Sequence, residues 1–240
     1  MIPPITTKLY HPNEILAIYN ETLCNCLIYS FSWAYKYLKI ALLLSILLLL
    51  LLSSVGKRLF TFVSGFLILL FAIFQNISYT DHHGWCYTPS NSIIMLSMVY
   101  TLFKETVSSK SRFDNTAIDW KQLLWFPMMF GCLLVPIDFE LQLMNPDPVV
   151  SWDRFFVSDT IAAFCYVAPT ILGVISLFFD SVSRELFESL SAGCTVIGIV
   201  ASINFLKLKG LYAILMHIPL TFYAFYGPYL LYSHQKAKQN

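Results

Sequence analysis

Charge is the scarcest commodity in this sequence. Lys and Arg total 15 and Asp and Glu total 14 among 240 residues, a 12% charged share that is about half that of a soluble domain. The formal net charge of +1 leaves no electrostatic footprint for nucleic acid. Glycine and proline number only 9 and 11, which excludes collagen-like and low-complexity chains. No internal repeat is visible, so the inverted-repeat plan of many transporters has no support. Serine-hydrolase elbows, phosphate-binding loops, H-E-x-x-H and basic phosphatase signatures are all missing, which removes the common hydrolase and NTPase readings. The N-terminus lacks a basic region followed by a short apolar core and a small-residue cleavage site, so no cleaved signal peptide is expected.

Apolar residues are what the chain has. They make up 57% of it, with 20 Phe and 14 Tyr. A spanning helix needs roughly 20 mostly apolar residues to cross about 30 Å of hydrocarbon. Runs of that kind cover residues 37–55, 59–78, 91–107, 121–137, 155–179, 189–206 and 210–233. The expected fold class is therefore all-α, a polytopic membrane bundle of about seven transmembrane helices. Residues 1–36 form an N-terminal segment in which 23–35 is an interfacial helix or an extension of the first span. Residues 37–233 form the bundle and 234–240 the tail.

Orientation follows from Lys and Arg near the span ends. One side would hold Lys57, Arg58, Lys104, Lys110, Arg112, Lys121, Arg184, Lys236 and Lys238, and the other Lys8, Lys36, Lys39, Arg154, Lys207 and Lys209. Nine against six favours a lumenal N-terminus and a cytosolic C-terminus. The chain ends with Lys236 and Lys238 in a K-x-K-x-x pattern, which looks like a dilysine retrieval tail, an address read on the cytosolic face. Asn20, Glu21 and Thr22 form a glycosylation acceptor that the same orientation places in the lumen. Asn76 and Ser78 also match, at a helix end too near the membrane for modification. The expected location is the endoplasmic-reticulum membrane. Of six cysteines, Cys132, Cys165 and Cys194 fall in spans as small apolar groups. Cys24, Cys26 and Cys86 fall on the lumenal side, where Cys86 could bridge to Cys24 or Cys26.

Ionisable groups in hydrocarbon cost at least ~2.5 kcal/mol at a helix centre, so each needs a reason. Asp159 stands one turn into the fifth span, with Tyr166 two turns later on the same face. It is either an interfacial acid helped by the helix N-terminus or an acid facing a cavity. His217 lies midway along the seventh span with Thr221 at i+4, either a core histidine bonded to a backbone carbonyl or a functional group. Asn204 reads as interhelical glue, and the small residues of the sixth span, Gly198 and Ser202 among them, allow close helix approach. That face is a candidate docking surface for a membrane-protein partner.

The connection between the fourth and fifth spans carries Asp138, Glu140, Asp147, Asp153 and Arg154 among aromatic and apolar residues. Asp138 and Glu140, two apart, share a face on an extended segment. Close carboxylates raise one another's proton affinity, so one could act as general acid; the bland alternative is a solvated loop. Asp81, His82 and His83 are weak metal candidates, since adjacent histidines make a poor bidentate pair. Otherwise they form a polar turn anchored by Trp85. No cofactor is expected.

In length, seven spans and an aromatic final helix with a basic tail, the chain resembles the small seven-span terpene cyclases of fungal pathways. The Trp-Glu pair typical of their early helices is absent, because the second span contains no acid. Pro136, Ile137, Asp138 and Phe139 resemble the Pro-Leu-Asp-Trp element of the small accessory protein of GPI-anchor ethanolamine-phosphate transfer, here with more spans after it. The leading expectation is an enzyme of lipid or isoprenoid metabolism, with terpene-cyclase-like acid catalysis as what the first resemblance implies. Its candidate catalytic groups are Asp138, Glu140, Asp159 and His217. The alternatives are a non-catalytic accessory or assembly subunit of a larger membrane enzyme, and a small carrier. Membrane lipids are the expected partners.

Overall fold

The computed structural model describes residues 14, 15, 18, 21, 22, 25–81, 83–136, 152–207 and 211–239. Among them are seven α-helices: α1 (Tyr35–Leu51), α2 (Ser53–Leu70), α3 (Pro89–Ser108), α4 (Phe126–Leu134), α5 (Phe164–Leu177), α6 (Arg184–Lys207) and α7 (Leu211–Gln239). Each falls on one of the apolar runs. Three helical stretches are long and apolar enough to cross a membrane: Leu27–Leu51 with 25 residues, Val55–Gln75 with 21 and Arg184–Ile203 with 20. The outer faces of α1, α2, α3 and α6 present Leu47, Phe62, Ile93 and Ile203, each at least half exposed. Serines and threonines such as Ser45, Ser64, Thr170 and Ser176 are buried. That is the inverse of a soluble globule and suits hydrocarbon as the outer solvent.

The bundle is a ring around α5, which is buried along its entire length apart from a half-buried Cys165. Consecutive contacts run α1, α2, α3, α6, α7, with α4 packed on both α5 and α7. Between α1 and α4, the short turn Asp159–Ala162 packs against both. Hydroxyls link neighbouring helices in the manner expected where no hydrophobic force draws helices together: Thr61 to Thr106 at 2.9 Å, Thr101 to Ser189 at 3.1 Å, Ser202 to Thr221 at 2.6 Å. Pro228 cannot donate to the carbonyl of Ala224 four residues back. That freed carbonyl accepts the Thr195 hydroxyl of α6 at 2.8 Å. A Cβ added at Gly198 would lie 3.0 Å from the Ala224 Cβ, and one at Gly193 would strike Met98 of α3. Gly193 and Gly198 of α6 are thus packed against α3 and α7 within the chain. Asn204 has its side chain outside the described residues.

Several boundaries differ from the sequence expectation. The first span ends at Leu51 and the second begins at Ser53, with Leu52 alone leaving helical geometry (φ −130°, ψ 82°). Lys57 and Arg58, expected in a loop, sit in the opening turns of α2. Gly56 makes this reversal feasible, since a Cβ there would lie 2.1 Å from the Leu48 carbonyl oxygen. The 3₁₀ helix Leu27–Ala34 runs directly into α1, so the segment before the first span is its extension. The fourth span contains only nine α-helical residues, entered through the 3₁₀ helix Trp120–Trp125 that Asp119 caps and through Pro127. Val135 turns extended before Pro136, as the residue preceding proline prefers. The second span closes in a π turn, Phe71–Gln75, followed by strands β1 (Ile77–Thr80) and β2 (Gly84–Tyr87), where a polar loop was expected. Ser78 pairs with Cys86 on one side and bridges to Cys26 on the other.

The ring has two unlike ends. At one, Lys57 donates to the Ser111 carbonyl, Arg58 to the Ser109 hydroxyl, Asn115 to the Leu50 carbonyl, and the Arg112 N–H to the Ser181 carbonyl. His234 lies 3.6 Å from Asp180. The connections after α1, α3 and α5 and the last turns of α7 therefore meet there, as strict alternation of spans requires. We call this the charged end. The hairpin, the start of α1 and the chain before α5 form the hairpin end.

Candidate functional site

The expected fifth span, 155–179, is helical only from Phe164. Ahead of it runs an irregular stretch, exposed at Phe156 and Val157 and buried from Thr160 to Ala163: a turn at 155–157, a bend at Ser158, the 3₁₀ turn Asp159–Ala162 and an extended Ala163. Irregular backbone at membrane depth survives only where protein satisfies it. Lys39 of α1 braces this one. Its side chain is 0% exposed, and Nζ donates to the Phe155 carbonyl at 2.6 Å, the Ser158 hydroxyl at 3.2 Å and the Thr160 hydroxyl at 3.3 Å. The ammonium also stands 4.4 Å from the centre of the Phe155 ring, a cation–π contact. Gln75 completes the support by accepting the first N–H of α5, that of Phe164, at 3.1 Å. The Gln75 carbonyl in turn accepts the Cys26 thiol at 3.1 Å. Asn76 donates to the carbonyls of Phe71 and Ala72, closing the π turn.

Below this stretch Tyr166 of α5 and His217 of α7 face one another, ring centres 6.3 Å apart, both buried. Thr221 donates to the His217 carbonyl at 3.0 Å and also meets Ser202. Tyr166 and Ala163 pack with Tyr29 and Val135, so the chain leaves the described fold beside Tyr166 as it heads towards Asp138. The four candidate catalytic residues divide as follows. His217 is buried in this cluster. Asp159 opens the 3₁₀ turn two residues before Ile161, with its side chain outside the described residues. Asp138 and Glu140 lie outside them altogether, as do His82, Asn20 and Cys24. Asp81 and His83 stand exposed at the hairpin tip, remote from α7 in sequence and element. Among the described residues no group of three or more His, Cys, Asp or Glu could hold a metal. Lys236 is exposed on the last turns of α7, and the Lys238 side chain is outside the described residues.

Cys26 and Cys86 pair to opposite sides of Ser78. Two strand spacings of about 4.8 Å put them roughly 10 Å apart, beyond the ~7 Å limit for a disulfide. This corrects the expected bridge between them. Asn76 is 3% exposed and hydrogen-bonded, in keeping with its exclusion as a glycosylation site.

Lys39 is the residue the charge count concealed, since it was tallied as a flanking cation. A signal was present: Tyr35, Lys39, Leu42, Ile46 and Leu49 are spaced by fours and threes and form the buried face of α1. Glu105 of α3 was overlooked too, because the orientation count takes in only Lys and Arg. It shares a face with Met98 and Leu102, and its carboxylate accepts the Ser111 N–H at 2.5 Å and the Ser183 hydroxyl at 3.1 Å.

No protein-family model matches the chain, and no curated protein or solved structure does either. Function must therefore be argued from the residues themselves.

Proposed function

We propose that this is a multi-pass membrane enzyme of lipid or isoprenoid metabolism, resident in the endoplasmic-reticulum membrane, with its site at the hairpin end. The observation that carries this reading is the irregular stretch 155–163 braced by the buried Lys39. Interrupting a span and burying a cation are both costly, and in membrane proteins such breaks line binding sites. Asp159 lies in the break and acts as proton donor to a membrane-dissolved substrate. His217 and Tyr166 are the buried pair on the neighbouring helices. Asp138 and Glu140 lie outside the described residues and enter this reading as the further acids that the sequence offers. The direct test is single replacement of Asp138, Glu140 and Asp159 by the matching amide and of His217 by Gln, followed by analysis of cellular lipid extracts. Substrate accumulation is expected for Asp159→Asn; unchanged lipids in correctly folded variants end the enzymatic reading.

A specific observation favours a second reading, a non-catalytic accessory or assembly subunit. Lys39 is already committed to a carbonyl and two hydroxyls, a structural set of bonds. A subunit of this kind would co-purify stoichiometrically with a larger membrane enzyme in mild detergent. The orientation belongs to the same proposal, with the hairpin end lumenal and Lys236 and Lys238 cytosolic. It is tested by loss of an endoglycosidase-sensitive mass shift in Asn20→Gln.

A further inference from the structure

A cavity of about 140 Å³ opens at the charged end between the connection after α5 and the last turns of α7. Phe179, Phe187 and Leu231 supply an apolar floor, and Asp180, Arg184 and His234 supply a charged rim. Phe179 packs edge-on against Phe187 at 4.7 Å and against His234 at 5.2 Å, which fixes the floor. Asp180 and His234 approach to 3.6 Å while Asp180 stays two-thirds exposed. Arg184 is anchored through Nε to Glu188 one turn on, with its side chain 64% exposed.

We infer that this cavity binds the headgroup of a zwitterionic phospholipid. The rim carries both signs, an acid and two potential cations. A purely anionic headgroup would meet Asp180, and a purely cationic ligand would meet Arg184. A phosphoethanolamine or phosphocholine group satisfies both, with its amine at Asp180 and its phosphate at Arg184 and the His234 ring. Tyr229 and Tyr232 on the last turns of α7 are exposed, as residues at a membrane–water interface are. The inference is independent of the proposed enzymatic site, which lies at the opposite end of α5.

The test is native mass spectrometry of the full chain in mild detergent, titrated with phosphatidylethanolamine, phosphatidylcholine or phosphatidylglycerol. One zwitterionic lipid per chain should be retained in preference to phosphatidylglycerol. Asp180→Asn and Arg184→Gln should each weaken it by about tenfold, the scale of one charge-assisted contact. Phosphatidylethanolamine exceeding phosphatidylcholine assigns the amine a hydrogen-bonding role at Asp180, and equal retention assigns it to charge alone; both support the site. Leu231→Trp fills the floor without touching the rim charges and should abolish retention even if Arg184→Gln fails to fold. Phosphatidylglycerol retained as tightly and indifferent to Asp180→Asn would overturn the proposal, leaving a plain basic surface. Undiminished binding in Leu231→Trp would overturn it as well.

Discussion

Among the described residues each end of the bundle buries one charged side chain reaching inward from the outer ring, Lys39 and Glu105, and the two are opposite in sign. At the hairpin end Lys39 gathers acceptors: a carbonyl and two hydroxyls from the stretch before α5. At the charged end Glu105 gathers donors: an N–H and a hydroxyl from the connections after α3 and α5. Glu105 works with the helix dipole, because Ser183 immediately precedes α6 and an anion is favoured at a helix N-terminus. Lys39 instead meets the irregular turns ahead of α5, through Phe155, Ser158 and Thr160. This asymmetry is why we place function at the hairpin end and read the charged end as scaffold and lipid contact.

The sharpest way to break the comparison is Lys39→Ala. It strips the irregular stretch of its donors, and a loss of about 3 kcal/mol is expected, the scale of removing one partner from a buried charged set. Amide exchange should rise across 155–164 and leave 109–115 and 181–185 protected. Uniform loss of protection would mean the two ends are not separate units. Next in size, Gly56→Ala should cost about 2 kcal/mol in thermal unfolding, because the added methyl overpacks the Leu48 carbonyl and the reversal must open. Glu105→Gln retains an acceptor and loses only charge, so roughly 1 kcal/mol is expected, with exchange rising at Ser111 and Ser183 alone. A larger loss than for Lys39→Ala would invert our ranking of the ends.

The smallest effect concerns pH. The Thr116 hydroxyl, then the Thr116 N–H, hold the Asp114 carboxyl below its usual range, with Arg112 nearby adding to this. A group whose proton affinity is depressed by folding stabilises the fold above its unfolded pKa. Its contribution is lost as pH falls through the lower folded-state value. Asp114→Asn should therefore flatten the acid limb of the stability profile slightly, and an unchanged limb would refute the assignment.

Periodicity and composition were enough to locate seven helices, because each spanning run must satisfy its own backbone and so announces itself locally. The small residues of α6 were also legible, and Gly193 and Gly198 pack against α3 and α7. The interruption before α5 was not legible. Its residues, Phe155 to Ala163, sit in an otherwise apolar run, and the group that braces them is a lysine more than a hundred positions earlier. Likewise the hairpin after α2 depends on Cys26 lying alongside Ser78, a pairing no local window contains.

By itself, then, the sequence determined the all-α class, the seven helices among the described residues and the apolar length of three of them, since burial of apolar area and backbone satisfaction act residue by residue. Only the tertiary structure decided which helix is central, where that helix stops short, and which charges are hidden. Those outcomes depend on groups far apart in the chain meeting in one place, where a lysine can replace the hydrogen bonds a helix would otherwise have made.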